Sequence, residues 1–585
     1  MVAMDYRARP RRSHLSRGLL AAAVAGVATL AAPAVAEACG GLFCDGGMPM
    51  PVPVDQTGEN ILFVVDEAAG TVEAHIQIQY MGDPDKFAWV IPVQAEPDFS
   101  AGSELLFTNL LAGTAPTYSF SSQSDCEDNG GGGIGCGAAL ESAGGDFAES
   151  SASGGFDTAD GLTGDDGPTI VKREIVGAFE IVVLKGGTAQ ELFDWLNDNG
   201  YAQDDDSPPI LEEYLSEGYL FAAAKLIHGA GVDELQPLVM TYQGDRPCVP
   251  LRLTRIAAVD DMPIRIFALA RERVGPSVYK HVALNQVLLD WINSADNYFE
   301  VVIQAIDEAG GRAFITEYAG TSNVVATSGL FSPKWDASIF VDATPVTANG
   351  YSVVDALTSQ GLMECFDFGE CSYNHPMLLP ILRTYLPTPA GVGEADFYEC
   401  MECFEELIDD VQWDGAKFAQ ALDERIIQPG KHAAQLLANW PYLTRMLTIM
   451  SPHEMTEDPE FVSNGDLPDF PMAHRATQMI PCEGSNKFVF DDGRELLIRP
   501  DGTFPDLGDM PFAERVEVVP PAGAPQVETD NGDLIDDLIR ASNKRFDYDN
   551  GSRLNCAVRP GSVGGALSLG LIFAFAFAGR RRRRG

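Results

Sequence analysis

The densest grouping of acid–base and metal-ligating side chains in this chain lies between positions 453 and 474. His453 and Glu454 are adjacent, Asp458 follows, and His474 comes later. Imidazole and carboxylate groups are the types that hold a divalent metal or pass a proton. The spacing is not H-E-x-x-H, because position 457 is Glu. These four are candidate metal or acid–base residues, weighed against plain polar anchoring of a loop. Cys400-Met-Glu-Cys403 is a C-x-x-C, a spacing used in redox and zinc sites. A zinc site wants a second pair at matching spacing, and Cys365 and Cys371, with His375 beside them, stand too far apart for the usual knuckle. Gly130 to Gly135 matches G-x-G-x-x-G, but no strand precedes it and no helix follows, so a dinucleotide is not expected. The acidic run 157–166 offers oxygen ligands to calcium without the spacing of an EF-hand loop. The sequence holds no G-x-S-x-G, no P-loop and no paired carboxylates at a readable spacing. It therefore identifies no catalytic residue and no cofactor, with calcium at the Asp-rich loop as the one ion kept in view.

Cysteine usage bears on the compartment. Ten cysteines lie in the body of the chain: Cys39, Cys44, Cys126, Cys136, Cys248, Cys365, Cys371, Cys400, Cys403 and Cys482. The eleventh, Cys556, stands apart near the C-terminus. An even set fits disulfides formed outside the cytoplasm. Proximity in sequence favours Cys39–Cys44, Cys126–Cys136, Cys365–Cys371 and Cys400–Cys403, leaving Cys248 and Cys482 for a long-range pair.

Both ends point the same way. Arg7, Arg9, Arg11, Arg12 and Arg17 precede an apolar run over 18–32, and Ala34-Val35-Ala36 is a small-x-small cleavage site. Residues 1–36 read as a secretory signal. At the other end, residues 561–578 carry no charge and are followed by Gly579 and by Arg580, Arg581, Arg582, Arg583 and Arg584. An uncharged apolar run of that length can just span a bilayer, and the arginine block stays on the cytoplasmic side. With five arginines removed at each end, residues 37–579 hold 29 basic and 84 acidic side chains, a charge of about −55. Such a surface repels nucleic acid and anionic lipid and suits a solvated envelope protein.

These features are placed on a mixed set of elements. The segment 72–80 alternates Val72, Ala74, Ile76, Ile78 and Tyr80 against Glu73, His75, Gln77 and Gln79, the period of a half-buried antiparallel strand. His75 falls on the polar face and reads as solvated rather than as a ligand. Residues 60–66 and 87–93 are further strands. Thr188-Ala-Gln-Glu191 is a capping box that opens a helix carrying Leu192, Trp195 and Leu196, closed by Asn199-Gly200. Strands are expected over 219–227, 235–242, 249–258 and 263–270, and a closing hairpin over 487–503. Three helices are expected within 402–450. Residues 119–168 are Gly, Ser and Asp with few apolar residues, a looped or disordered insertion. The fold class is α+β: an antiparallel β-rich N-terminal region with segregated helices, then a more helical, disulfide-bearing region.

The pair Cys39 and Cys44, the Pro53-Val-Asp-Gln56 motif, the strand end from Gln77 to Asp83 and the run Phe87-Ala-Trp-Val-Ile-Pro-Val93 resemble the opening of domain-of-unknown-function family 2330 (DUF 2330). The elements Trp195 to Tyr201 and Pro250 to Thr254 extend the resemblance to about residue 330. It implies an exported bacterial envelope protein and no particular activity. The C-terminal layout of Cys556, apolar helix and arginine run is similar to the myxobacterial-type sorting tail, which implies processing and anchoring near that cysteine. Here Asn555-Cys556-Ala557 stands where that tail carries Gly-Cys.

The expected organisation is a signal at 1–36, a DUF 2330-like α+β domain at 37–334 and a Cys-containing, mainly helical region at 335–504. A Pro/Asp-rich spacer at 505–560, a transmembrane or sorting helix at 561–579 and an Arg-rich cytoplasmic end at 580–585 follow. The expected partners are the membrane, the export machinery and, for the tail, sorting machinery. The expected role is binding or structure at the cell envelope. The alternatives are an exported metal-dependent hydrolase using the residues around His453, and a calcium-assisted adhesion protein.

Overall fold

The structure is a computed structural model describing residues 55–81, 88–124, 167–201, 204–227, 234–244, 246–345, 352–366, 370–408, 412–482, 485–499, 504–505 and 507–554. A ten-stranded mixed sheet runs through it. Its strands, in chain order, are β1 (Asp55–Asp66), β2 (Thr71–Met81), β3 (Asp98–Ala101), β4 (Leu238–Gln243), β5 (Met262–Ala270), β6 (Lys280–Leu284), β7 (Ala313–Thr321), β8 (Tyr442–Met450), β9 (Ala513–Val518) and β10 (Gln526–Asp530). Their order across the sheet is β10-β9-β6-β7-β8-β5-β1-β2-β4-β3. β1 lies parallel to β5 and β6 parallel to β7, while the other neighbours are antiparallel.

The central strands are covered on both faces. Ile61 and Phe63 of β1, Ala74 and Ile76 of β2 and Ile264 and Ile266 of β5 pack against a four-stranded antiparallel sheet, through residues such as Trp89, Ile181 and Ala222. The far side of that second sheet is closed by the helices Ala189–Asp198 and Ser207–Ser216, through Leu192, Leu196, Ile210 and Tyr214. On the other face of the central sheet, Leu62, Val64, Phe267 and Leu269 meet α1 (Glu104–Gly113) and, beyond α2 (Tyr298–Glu308), α3 (Gln428–Asn439). α2 packs Val302, Ala305 and Ile306 over β6, β7 and β8. A strand buried on both faces reads as a continuous apolar run, which is what Ile61-Leu-Phe-Val-Val65 is. The region between α2 and α3 forms a separate helical core around Phe340, Leu357, Leu382, Phe397 and Phe418.

The α+β class and the order of a β-rich first part before a helical, disulfide-bearing part are seen directly. The capping box forms as expected, with Thr188 accepting from the Glu191 amide and Glu191 returning to Thr188. Cys365–Cys371 and Cys400–Cys403 are bonded. The long-range pair does not form, because Cys248 is a free thiol while Cys482 is disulfide-bonded. Segment 249–258 is not a strand but the short helix Leu251–Thr254, started by Pro250 and held by the Arg252 amide donating to Asp458. The stretch expected as a spacer is part of the fold: β9 and β10 extend the sheet, and the helix Gly532–Leu554 buries Ile535 and Ile539. Its described prolines sit in loops, several of its aspartates fall in β10 and in the helix Gly532–Leu554, and Ala513 and Val516 of β9 turn into the core under α2. Part of the expected insertion is also ordered, since Thr117–Ser124 pairs in parallel with Ala473–Ile480.

Among the described residues no helix is long and apolar enough to cross a membrane. The signal, the apolar tail, Cys556, Arg580–Arg584 and Cys39, Cys44, Cys126 and Cys136 lie outside the described residues.

Candidate functional site

The sheet edge at β6, β7 and β9 opens into a cleft of about 500 Å³. Three regions far apart in sequence build it. Strand Thr117–Ser124 supplies Tyr118, the strands β6, β7 and β9 supply His281, Thr316, Glu317 and Glu517, and the strand Ala473–Ile480 with the loop leading into it supplies His474 and Phe470.

A local irregularity decides what the cleft contains. Side chains normally alternate between the two faces of a strand. Along β7 the register with β8 shifts between Thr316 and Tyr318, so Glu317 is the extra residue of a β-bulge. A bulge re-aims side chains, and consecutive Thr316 and Glu317 both line the cleft.

The polar groups interlock. His281 and Glu517 face each other across β6 and β9, with His281 Nδ1 3.3 Å from Glu517 Oε2. His281 Nε2 is 3.0 Å from Thr316 Oγ1. Arg273 Nη2 donates to that same hydroxyl oxygen at 2.9 Å and Nη1 donates to the Pro468 carbonyl. A hydroxyl has one proton. With Arg273 donating to Thr316, the Thr316 proton points to His281 Nε2, and His281 carries its own proton on Nδ1, toward Glu517. Burial holds the His281 imidazole below its ordinary value, so it is neutral near pH 7. The hydrogen bond from His281, against burial, keeps the Glu517 carboxyl below its ordinary value. The result is a carboxylate–imidazole–hydroxyl relay with a guanidinium on the hydroxyl oxygen, an arrangement able to withdraw a proton from Thr316 and steady the charge left behind.

Glu317 is spent on another partner. Its Oε2 accepts from Arg445 Nε at 2.6 Å and its Oε1 from the Tyr298 hydroxyl at 2.8 Å. Burial and the Glu317 charge push the Tyr298 and Tyr118 hydroxyls well above their ordinary range, so both act as neutral groups. The His474 ring stacks on Tyr118 at 4.8 Å, and its Nδ1 meets Gln286 Nε2 at 3.2 Å. Burial lowers its pKa. Among the described residues, His474 Nε2 and Arg273 Nε are buried without a hydrogen-bond partner.

The residues expected between 453 and 474 are thereby separated. His474 belongs to the cleft. Asp458 is a structural anchor: it accepts from the Tyr214 hydroxyl at 2.8 Å, from the Arg252 amide at 2.9 Å and from Arg252 Nε at 3.0 Å. Arg252 also lies over the Tyr214 ring at 4.1 Å. Glu454 accepts from the Ser451 amide at 2.8 Å, capping its own turn, and burial raises its carboxyl. His453 acts electrostatically on Glu454 and Asp307 and reaches neither Asp458 nor His474 in any described contact. A metal centre built from these four is not assembled. Burial and the nearby Asp458 push the free Cys248 thiol up, away from reactivity.

The largest departure from expectation is His75. It is 1% exposed, and the polar face of β2 around it is met by α1 through Gln77 and Glu104 and by α3 through Glu73 and His432. Glu73 Oε1 lies 2.5 Å from His75 Nε2 and 2.6 Å from His432 Nε2 of α3. The two rings are stacked, with centroids 6.0 Å apart. Burial alone would raise the Glu73 carboxyl, but the hydrogen bonds from His432 and His75 hold it down at about 2. The bond to Glu73 raises the His432 pKa. Position 432 carried no signal in sequence beyond a lone polar residue on a helix. The only available cue at β2 was the i, i+2 placement of Glu73 and His75, whose partner comes from 359 residues away.

Against known proteins, the family model described as "Uncharacterized protein conserved in bacteria (DUF2330)" matches residues 33–331. No curated protein and no solved structure matches the chain. Tyr118, Arg273, His281, Tyr298, Thr316 and Glu317 of the cleft and Glu73 and His75 of the cluster therefore fall within the matched region, while His432, Arg445, Phe470, His474 and Glu517 come from outside it.

Proposed function

The chain belongs to the DUF2330 family, and we propose that it is an exported envelope protein, tethered by its C-terminus, that binds a small neutral hydrogen-bonding ligand in the cleft beside Tyr118. Export and tethering are supported by the signal-like 1–36 segment, by the apolar 561–578 run ahead of five arginines, and by two bonded cysteine pairs, which fit an oxidising compartment. The membrane, the export apparatus and a sorting system acting on the tail are the corresponding partners.

The observation that carries the binding reading is the pair of unpartnered polar atoms, His474 Nε2 and Arg273 Nε, in side chains that line the cleft. Buried polar groups are nearly always satisfied, so such atoms mark where a ligand completes the network. Most charges in the wall are already paired, as in Glu317 with Arg445 and Arg494 with Asp492, Glu514 and Asp536, and Arg273 is held by the neutral oxygens of Thr316 and Pro468. Tyr118, Tyr298 and Phe470 add apolar ring surface. A paired wall with ring faces suits an uncharged ligand that has both hydroxyl or amide groups and an apolar face, as saccharides and short peptides do. A thermal-shift screen of neutral saccharides and dipeptides on the full chain is the test. Stabilisation in the parent that disappears in His474→Phe supports the reading. Equal stabilisation in both, or none across the screen, refutes cleft binding. Surface proteolysis of intact cells, with the arginines at 580–584 deleted for comparison, tests the tether, and unchanged display after that deletion counts against it.

The Glu517–His281–Thr316 relay favours a second reading, an acyl-transfer hydrolase with Thr316 as nucleophile. A fluorophosphonate probe distinguishes the two. Labelling of the parent that is lost in Thr316→Val indicates the enzyme, and no labelling leaves the binding role.

A further inference from the structure

We propose that Glu73, His75 and His432 form a binding site for one first-row divalent transition ion, with Zn²⁺ as the best fit, independent of the cleft. The backbone sets up the first two ligands. Residues i and i+2 of a strand share a face, so Glu73 and His75 of β2 both point toward α3. The helix lies across that face and delivers His432. One carboxylate oxygen and two Nε2 atoms converge, all within 4.8 Å of one another.

The donor set selects the ion. Two imidazoles and a carboxylate are the ligand set of catalytic zinc sites, and imidazole suits Zn²⁺ and its neighbours. Ca²⁺ and Mg²⁺ want six or more oxygens or a hydrated octahedron, which this site does not offer. Zinc–ligand bonds of about 2.0–2.1 Å place the ligand atoms about 3.3 Å apart around a tetrahedral ion. Glu73 Oε1 needs to retreat from the two nitrogens by under 1 Å, a motion within reach of a glutamate side chain, as estimated from that bond length.

Two further observations separate this cluster from an ordinary hydrogen-bonded trio. His75 Nδ1 is buried without a partner among the described residues, so although Glu73 holds the His75 proton on Nε2, its transfer to Nδ1 breaks no other protein contact. The same Nε2 is equally able to present its lone pair to a cation. The site is also half open: the His432 side chain is 42% exposed against 2% for His75, leaving an approach for the ion and room for a fourth, water ligand. The strongly acidic chain raises the local concentration of cations around it.

The test is a Zn²⁺ titration of the chelator-treated full-length chain by calorimetry, followed by Co²⁺ substitution and its visible absorption spectrum. The expected result is one tightly held ion per chain, with a spectrum of nitrogen and oxygen ligation in a four- or five-coordinate site. His432→Ala, at a half-buried position, is expected to keep the chain folded without metal and to lose affinity by more than about 100-fold, above the range seen when only an outer-shell partner is removed. Glu73→Gln is the second variant and is expected to weaken binding in the same way. His453→Ala is expected to bind as the parent does. Absence of stoichiometric Zn²⁺ binding by the parent overturns the site. So does binding that survives both His432→Ala and Glu73→Gln, which would place the ion elsewhere.

Discussion

Removing the charge of Glu317 probes how the cleft is held together. The ion pair with Arg445 joins β7 to β8, Nε to Oε2 at 2.6 Å, with side chains 2% and 6% exposed. Arg445 also donates Nη1 to the Leu111 carbonyl and the Thr114 hydroxyl, each at 3.1 Å. Glu317→Gln keeps the shape and most of the hydrogen bonds but leaves the guanidinium buried without a counter-charge. Breaking a buried pair from one side costs about 3–5 kcal/mol, because the surviving charge is not resolvated. That is a large share of the about 5–15 kcal/mol that holds a typical domain folded. Arg445→Met alone strands the Glu317 carboxylate and is expected to cost about as much. The double variant removes both charges and is expected to recover at least about 2 kcal/mol relative to the sum of the singles. Urea unfolding, with deuterium exchange of β7 and β8 amides to localise the loss, is the assay. The loss is expected to persist at high salt, since a pair this buried is screened little. A single variant costing under about 1 kcal/mol, or a double costing the full sum, would refute the reasoning and make the pair incidental to the bulge.

The remaining predictions concern other parts of the molecule. His375 is 3% exposed, and burial holds its imidazole down at about 4 while its Nδ1 accepts from the Met377 amide. A depressed histidine gives stability that is whole above the unfolded value near 6.5 and is lost as pH falls through 4, so His375→Asn should remove about 3 kcal/mol of acid sensitivity in that window, read by unfolding at pH 7 and 4.5. Gly430 in the first turn of α3 packs so closely that an added Cβ would land on the Leu330 carbonyl oxygen, and Gly430→Ala should cost about 1–3 kcal/mol in thermal unfolding, with no loss meaning the helix slides freely. Cys482 is disulfide-bonded and follows two residues after Ile480, which pairs in parallel with Ser124, so Cys126 is its expected partner; non-reduced peptide mapping should recover that cross-link, and a Cys126–Cys136 peptide would contradict it.

Local features were legible in the sequence because their causes are local. The alternation along β2, the capping box at Thr188 and Glu191, the β-hairpin at Lys487–Phe490 and Glu495–Leu497, and the short-range bonds Cys365–Cys371 and Cys400–Cys403 each follow from residues within about ten positions of one another. The family resemblance was legible for the same reason, since it rests on short runs between Cys39 and Thr254. Where local signals were misread, a distant contact had overruled them. Val249 to Ala258 looks like a strand until Asp458 takes the Arg252 amide, and the Pro/Asp-rich stretch looks like a spacer until β9 finds β6.

The sequence by itself determined the class of fold, the family and the order of β-rich before helical structure, because periodicity, caps and turn residues act over one or two turns of chain. Only the tertiary structure decided the sites. The polar face of β2 became a buried histidine–carboxylate cluster because α3 covers it, and hydrophobic periodicity says that a face is polar without saying what will roof it. Thr316 and Glu317 share the cleft because β7 bulges against β8, a register fault visible only once both strands are paired. His281, Glu517 and Thr316 meet because three strands from separate parts of the chain are neighbours in one sheet. Chemistry of this kind is set by which long-range pairings bury the most apolar surface, and no local pattern encodes that choice.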